Sequence, residues 1–198
     1  MNPNEMFALA LGLEGTPWRV VDVRFDRDLG RMDIDLDYPP GTRFNHPDSG
    51  EPCGVYDSQP RTWRHLNFFQ FECYVNAHVP RVDGGPDQGV KQITVPWARP
   101  HSGFSLLMES MMMVFTRGGM TVAEAARAVG EYAQRVWTVI LHHVGVAHGR
   151  MSLEAVRVIS VDEVCRARGQ NYLTIISEPK QDGHPTRVLL VIEGRDSK

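Results

Sequence analysis

The chain has 198 residues and a formal net charge of −3, which excludes a uniformly basic nucleic-acid coat and leaves any DNA binding to a local surface. Hydrophobic residues make up 42% and charged residues 23%, the balance of a globular protein, and no run of about 18 apolar residues offers a membrane span. Three widely spaced cysteines, Cys53, Cys73 and Cys165, form neither a disulfide framework nor a CxxC metal site, a usage that points to the cytoplasm.

The charge is unevenly spread. Residues 1–60 hold 5 basic and 11 acidic side chains, whereas residues 117–150 hold 4 basic and 2 acidic ones. The opening MNPNEMFALALGLEG lacks a basic n-region and reads as a short helix, not a signal peptide. WRVVDVRFD and RMDIDLDY alternate apolar and polar residues about a DLGR turn and predict a β-hairpin. Met32, Ile34 and Leu36 fall on one face, and Asp33, Asp35 and Asp37 on the other. The acidic ladder is expected to be the solvated face of an edge strand. After the turn-rich PPGTRFNHPDSGEPCG, strands are expected near 61–66, 68–79 and 90–95, with RVDGGPDQG between the last two. FSLLMESMMMVFT reads as a buried helix, its methionines serving core packing.

MTVAEAARAVGEYAQRVWTVILHHV carries the most specific pattern. Thr121 with Glu124 forms a capping box, the first helix runs to about Val129, and Gly130 supplies a left-handed turn. A second helix follows from about Tyr132 to Val144. Ala125, Ala126, Val129, Val136 and Val139 form the inward set of a helix-turn-helix. This leaves Tyr132, Gln134, Arg135 and Thr138 to face DNA on the second helix. Beyond a short helical piece, VRVISVDEV, QNYLTIIS and TRVLLVIEG predict three strands in a meander, a sheet too small to stand uncovered.

Several blocks taken in order, TWRHLNFFQFECYVNAHVPRV, GVKQITVPWARPHSGFSLLMES, the helix-turn-helix segment, SVDEVCRARGQNYLT and RVLLVIEGRD, resemble the N-terminal half of insertion-sequence transposases of the ISL-three family. The resemblance implies a zinc ribbon, a helix-turn-helix and a ribonuclease-H-like domain that cuts and joins DNA with an Asp-Asp-Glu metal triad. It also implies four zinc ligands, and here the corresponding positions are His46, Ser49, Gly84 and Gln88. Only His46 among them suits zinc. The aromatic set Trp63, Phe68, Phe69, Phe71, Tyr74 and Trp97 is expected to pack as the core that replaces the metal. Asp162 corresponds to the first catalytic Asp. One carboxylate cannot hold a metal pair, and the other two acids lie further downstream in the family. Gln170 stands where the family has His, and Glu163, Glu193 and Asp196 are nearby acids without an assigned role.

The expected fold is therefore α+β. It comprises a small β-ribbon module without zinc over residues 1–100, a helix-turn-helix over 101–150, and a truncated ribonuclease-H-like three-stranded sheet over 151–198. The expected function is that of a transposase-derived protein that binds double-stranded DNA without strand-transfer activity, as a regulator or competitor of transposition. Tyr132, Gln134, Arg135 and Thr138 contact DNA in this reading, with Arg127 and Arg117 on phosphates and Arg61, Arg64 and Arg81 of the ribbon adding backbone contacts. No cofactor is expected, neither zinc nor a divalent metal at Asp162. A homodimer or larger nucleoprotein complex is compatible with it. The other reading is an interaction subunit whose partner completes the open sheet.

Overall fold

Alternation of period two organises the first half of the chain. In the computed structural model, which describes residues 3–167, 171–180 and 186–194, α1 (Pro3–Ala10) precedes a hairpin of β1 (Arg19–Asp26) and β2 (Arg31–Asp37). There follow β3 (Arg43–Asn45), a long β4 (Pro52–Phe68), β5 (Phe71–Asp83) and β6 (Val90–Gln92). Gln170 and Asp196 lie outside the described residues. The hairpin is not a separate element. β2 pairs in parallel with β5, giving the order β1-β2-β5-β4-β3 with β6 also on β5. Met32, Ile34 and Leu36 of β2 and Cys73, Val75, Ala77 and Val79 of β5 point to one face and are buried, as the pleat requires.

This topology corrects the edge-strand expectation for the acidic ladder. β2 lies inside the sheet, between β1 and β5. Asp33 receives two bonds from the Arg31 guanidinium at 2.7 Å, Asp35 is paired with Arg24, and Asn76 on β5 donates to both carboxylates at 2.8 and 3.0 Å. The arginine bonds hold both carboxyls below their ordinary range. The ladder is thus a cross-strand polar network that fixes register.

The aromatic core also differs in membership. Trp63 and Trp97 are buried edge-to-face at 5.5 Å, and Trp18 meets Trp97 at 4.9 Å. Phe68 and Phe71 pack against this cluster. Phe69, by contrast, is 82% exposed with φ of 52°, because the β4–β5 turn needs a left-handed residue there and turns the ring outward. Tyr74 lies under the Arg31 guanidinium, 4.1 Å from it.

From Leu106 the chain is helical: α2 (Leu106–Arg117), α3 (Val122–Val129) and α4 (Ala133–Gly149). Ser105 caps α2 by accepting the Met108 N–H at 3.2 Å. Met108 and Met112 are buried, whereas Leu106, Leu107 and Val114 are exposed, so α2 is one-sided and not buried all round. The chain divides into two compact units, Met1–Ile140 and Leu141–Lys198, and the ribbon and the helix-turn-helix share the first. In the second, β7 (Ser160–Ala167), β8 (Asn171–Glu178) and β9 (Arg187–Glu193) form an antiparallel sheet in chain order. His148 near the end of α4 bonds the Leu189 carbonyl at 2.9 Å. Residues 151–157 form turns, not the short helix expected there. The class is mixed α and β.

Candidate nucleic-acid interface

The helix-turn-helix is assembled from local rules. Thr121 Oγ1 accepts the Glu124 N–H at 3.3 Å, and Glu124 returns its carboxylate to the Thr121 N–H at 2.8 Å. These two bonds satisfy free donors at the start of α3, and the Thr121 N–H and hydroxyl, both donating to the Glu124 carboxylate, hold it below its usual range. Gly130 takes φ of 72°, and the Glu131 N–H closes back on the Ala126 carbonyl at 2.9 Å. Ala125, Ala126, Val129, Val136 and Val139 are all buried, joined by Phe104, Met108, Met112 and Ile140 in one apolar cluster. The two small alanines let α3 approach its neighbours closely.

That packing decides which residues of α4 look outward. Tyr132 is 81% exposed, and Gln134 and Thr138 are exposed too. Trp137, one residue from Thr138, is also exposed. The sequence reading passed over it, although its place one step from the buried Val136 put it on the outer face. Arg135 is outward but restrained. Its guanidinium donates to Glu131 at 2.5 Å and lies 4.3 Å over the Phe104 ring, with 45% of the side chain accessible. Arg127 and Arg117 are exposed on α3 and α2.

Arg64 departs from the expectation. Its side chain is 2% exposed, so it cannot meet a phosphate in this conformation. It donates to the carbonyls of His65, Cys73 and Val129 and to the Asn67 amide oxygen. Its Nε lies 3.9 Å from Glu131, whose side chain is 6% exposed. The residue ties strand β4 to the end of α3 and, through Glu131, to Arg135. A buried guanidinium is tolerable only with this many acceptors.

The four positions implied as metal ligands do converge in part. Residues 46–50 form one tight loop, with the Gly50 N–H on the His46 carbonyl at 2.8 Å. Residues 84–89 form another, with the Gly89 N–H on the Gly85 carbonyl at 2.8 Å. A Cβ added to Gly84 would lie 2.8 Å from His46 Nε2 and 2.7 Å from Gln88 Oε1. His46, Gly84 and Gln88 therefore face one point. Ser49 is exposed, and its hydroxyl accepts the Glu51 N–H at 3.3 Å. Asp162 is exposed on β7, its carboxylate accepting the Glu163 N–H at 2.9 Å. Among the described residues no cluster of three or more His, Cys, Asp or Glu side chains is arranged to hold a metal ion.

Comparison with known proteins bears on this geometry. Residues 93–144 match the helix-turn-helix domain of transposase family ISL3, and residues 50–83 match the zinc-finger of transposase IS204/IS1001/IS1096/IS1165. These two segments are thus similar to the zinc-finger and helix-turn-helix regions of ISL3-type transposases. It is 29% identical over 122 residues to the transposase for insertion sequence element IS1557 from two Mycobacterium tuberculosis strains, CDC 1551 / Oshkosh and ATCC 25618 / H37Rv. The match covers 59% of this chain and 26% of each relative, so the chain spans about a quarter of the length of the curated relatives it matches. No solved structure matches it.

Within this ISL3-type region, the zinc-finger match begins after His46 and Ser49 and ends before Gly84 and Gln88. The residues at those positions do not fit zinc. His46 alone among the four offers an imidazole, and the Asp48 N–H donates to its Nδ1 at 3.3 Å. Gly84 has no donor atom, and Gln88 offers a neutral amide oxygen where structural zinc takes thiolate or imidazole.

Proposed function

We propose that this chain is a transposase-derived DNA-binding protein without strand-transfer activity of its own, acting as a regulator or competitor of transposition. The helix-turn-helix carries the reading: a capped α3, a left-handed Gly130, a sealed apolar core and an outward face of α4, all inside the matched segment. In this reading α4 enters the major groove of double-stranded DNA. Gln134, Thr138 and Tyr132 meet base edges, Arg135 is aimed by Glu131 and Phe104, and Arg127 and Arg117 take phosphates. A symmetric target would be bound by a homodimer. The two loops of the ribbon close without zinc.

The three-stranded sheet is read as the start of a ribonuclease-H-like domain, although Asp162 stands third in β7 and not at that strand's end. Selection from a random duplex library at two salt concentrations tests the DNA-binding reading. Enrichment of a motif, weakened by Gln134→Ala and Arg135→Ala, is the expected result. Absence of enrichment with no binding at low salt would overturn the proposal.

A second reading is favoured by one specific observation. Val161, Val164, Val188, Leu190, Val191 and Ile192 are exposed on the small sheet. Adjacent positions of β9 point to opposite faces, so apolar surface lies on both sides. An interaction subunit would cover it with a partner in a larger nucleoprotein complex. Dye binding by the purified chain separates the two: an interaction subunit binds hydrophobic dye strongly, and a self-sufficient DNA binder does not.

A further inference from the structure

Beside the helix-turn-helix lies a groove of about 380 Å³ whose floor is strand β4 and whose wall is the loop over residues 92–103. Arg61, Thr62, Gln92, Thr94, Arg99 and His101 supply its polar groups, and no acidic side chain lines it. Arg99 is fixed by the buried Glu109, its Nε donating at 2.9 Å, while Ser102 donates to the same carboxylate at 2.5 Å. Arg61 differs. It is exposed, it donates only to the neutral amide oxygens of Gln59 and Gln92 at 3.4 and 3.3 Å, and no ion pair holds it among the described residues. His101 sits at the rim with φ of 61°, a left-handed backbone that turns the loop sharply and that non-glycine residues adopt at a cost.

The groove does not stop at the loop. A smaller recess of about 150 Å³ shares Arg99 and His101 with it and continues to Arg135 and Thr138 on α4. A concave, hydroxyl-rich and acid-free surface with one uncompensated arginine thus runs directly into the face expected to read bases.

We propose that this groove seats the sugar-phosphate backbone of the duplex segment flanking the site read by α4, with Arg61 and His101 as phosphate contacts. The ribbon then contributes to DNA binding through β4 and the 92–103 loop, by its surface and not by its former metal site. This rests on the DNA-binding reading of α4. It extends the contacted region beyond one recognition helix, the usual division between base-reading and backbone-positioning groups.

The test uses the full chain and the duplex its own selection enriches. Arg61→Ala and His101→Ala are compared with Arg61→Lys, after urea unfolding has shown each variant folded as the parent; both residues are exposed. Arg61→Ala is expected to weaken binding uniformly across sequences, leave the enriched motif unchanged, and reduce the slope of log affinity against log salt by about 0.9. Arg61→Lys keeps the slope. His101→Ala shortens the hydroxyl-radical footprint on the flank. Unchanged affinity, slope and footprint in both alanine variants, with the motif still enriched by the parent, would overturn the groove while the α4 reading stands. No binding by the parent at low salt would overturn both.

Discussion

Replacing Arg64 separates a structural arginine from a DNA-binding one. In Arg64→Ala three backbone carbonyls, those of His65, Cys73 and Val129, lose their donor. Glu131, nearly buried, keeps only Arg135 as a cationic neighbour. Truncating one member of a buried, hydrogen-bonded charge cluster costs about 3–5 kcal/mol, a large part of the roughly 5–15 kcal/mol that holds a domain folded. With a urea dependence of about 2 kcal/mol per molar, the unfolding midpoint should fall by about 2 M. Fluorescence of Trp18, Trp63 and Trp97, all buried in the ribbon core, reports the transition. Lysine should not rescue, because an ammonium cannot serve a planar set of acceptors. A midpoint within about 0.3 M of the parent, combined with weaker DNA binding and a shallower salt slope, would refute the reasoning and return Arg64 to the phosphate contacts.

Three further outcomes follow from the same structure. Gly84→Ala drives a Cβ to within 2.8 Å of the buried His46 ring and should destabilise by about 1–3 kcal/mol, the usual cost of overpacking. The purified parent should carry substoichiometric zinc and unfold identically with and without a chelator, whereas stoichiometric zinc whose removal lowers the midpoint would sink the metal-free ribbon. His65 is pushed down to about 4 by burial and by the neighbouring Arg64 charge, against about 6.5 in an unfolded chain. The folded state thus binds fewer protons between those values. Its contribution is complete above about 6.5 and is lost as pH falls to about 4, roughly 2–3 kcal/mol in all. Asp33 and Asp35, whose carboxyls are held low, lose their contribution only below that window, so His65→Gln should flatten urea midpoints measured between pH 6.5 and 4.5. A slope unchanged by the substitution would assign it to another group.

The helix-turn-helix was legible because its determinants are local. A Thr-x-x-Glu box, a glycine six residues after the glutamate, and apolar residues at helical spacing each act within one or two turns. The buried set Ala125, Ala126, Val129, Val136 and Val139 could therefore be listed before any contact was known. The β1–β2 hairpin and the three terminal strands were legible for the same reason, through period-two alternation and short turns. Arg64 was misread because an arginine between Trp63 and His65 in a strand carries no mark of its direction; strand alternation alone does not say which face another element will cover. The groove of Arg61 and His101 was invisible for a related reason. Its members are separated by some forty residues and meet only once the 92–103 loop folds over β4.

What the sequence determined by itself is most of the elements, the capping of α3 and the outward face of α4, since these depend on residue type and short spacing. What only the tertiary structure decided is the pairing of β2 with β5, the burial of Arg64 against Glu131, the convergence of His46, Gly84 and Gln88, and the continuity of the groove with α4. Each of these is a contact between distant segments. Such contacts are chosen by which apolar faces can be buried together, and a polar side chain is then placed by the core it must adjoin rather than by its own preference for water.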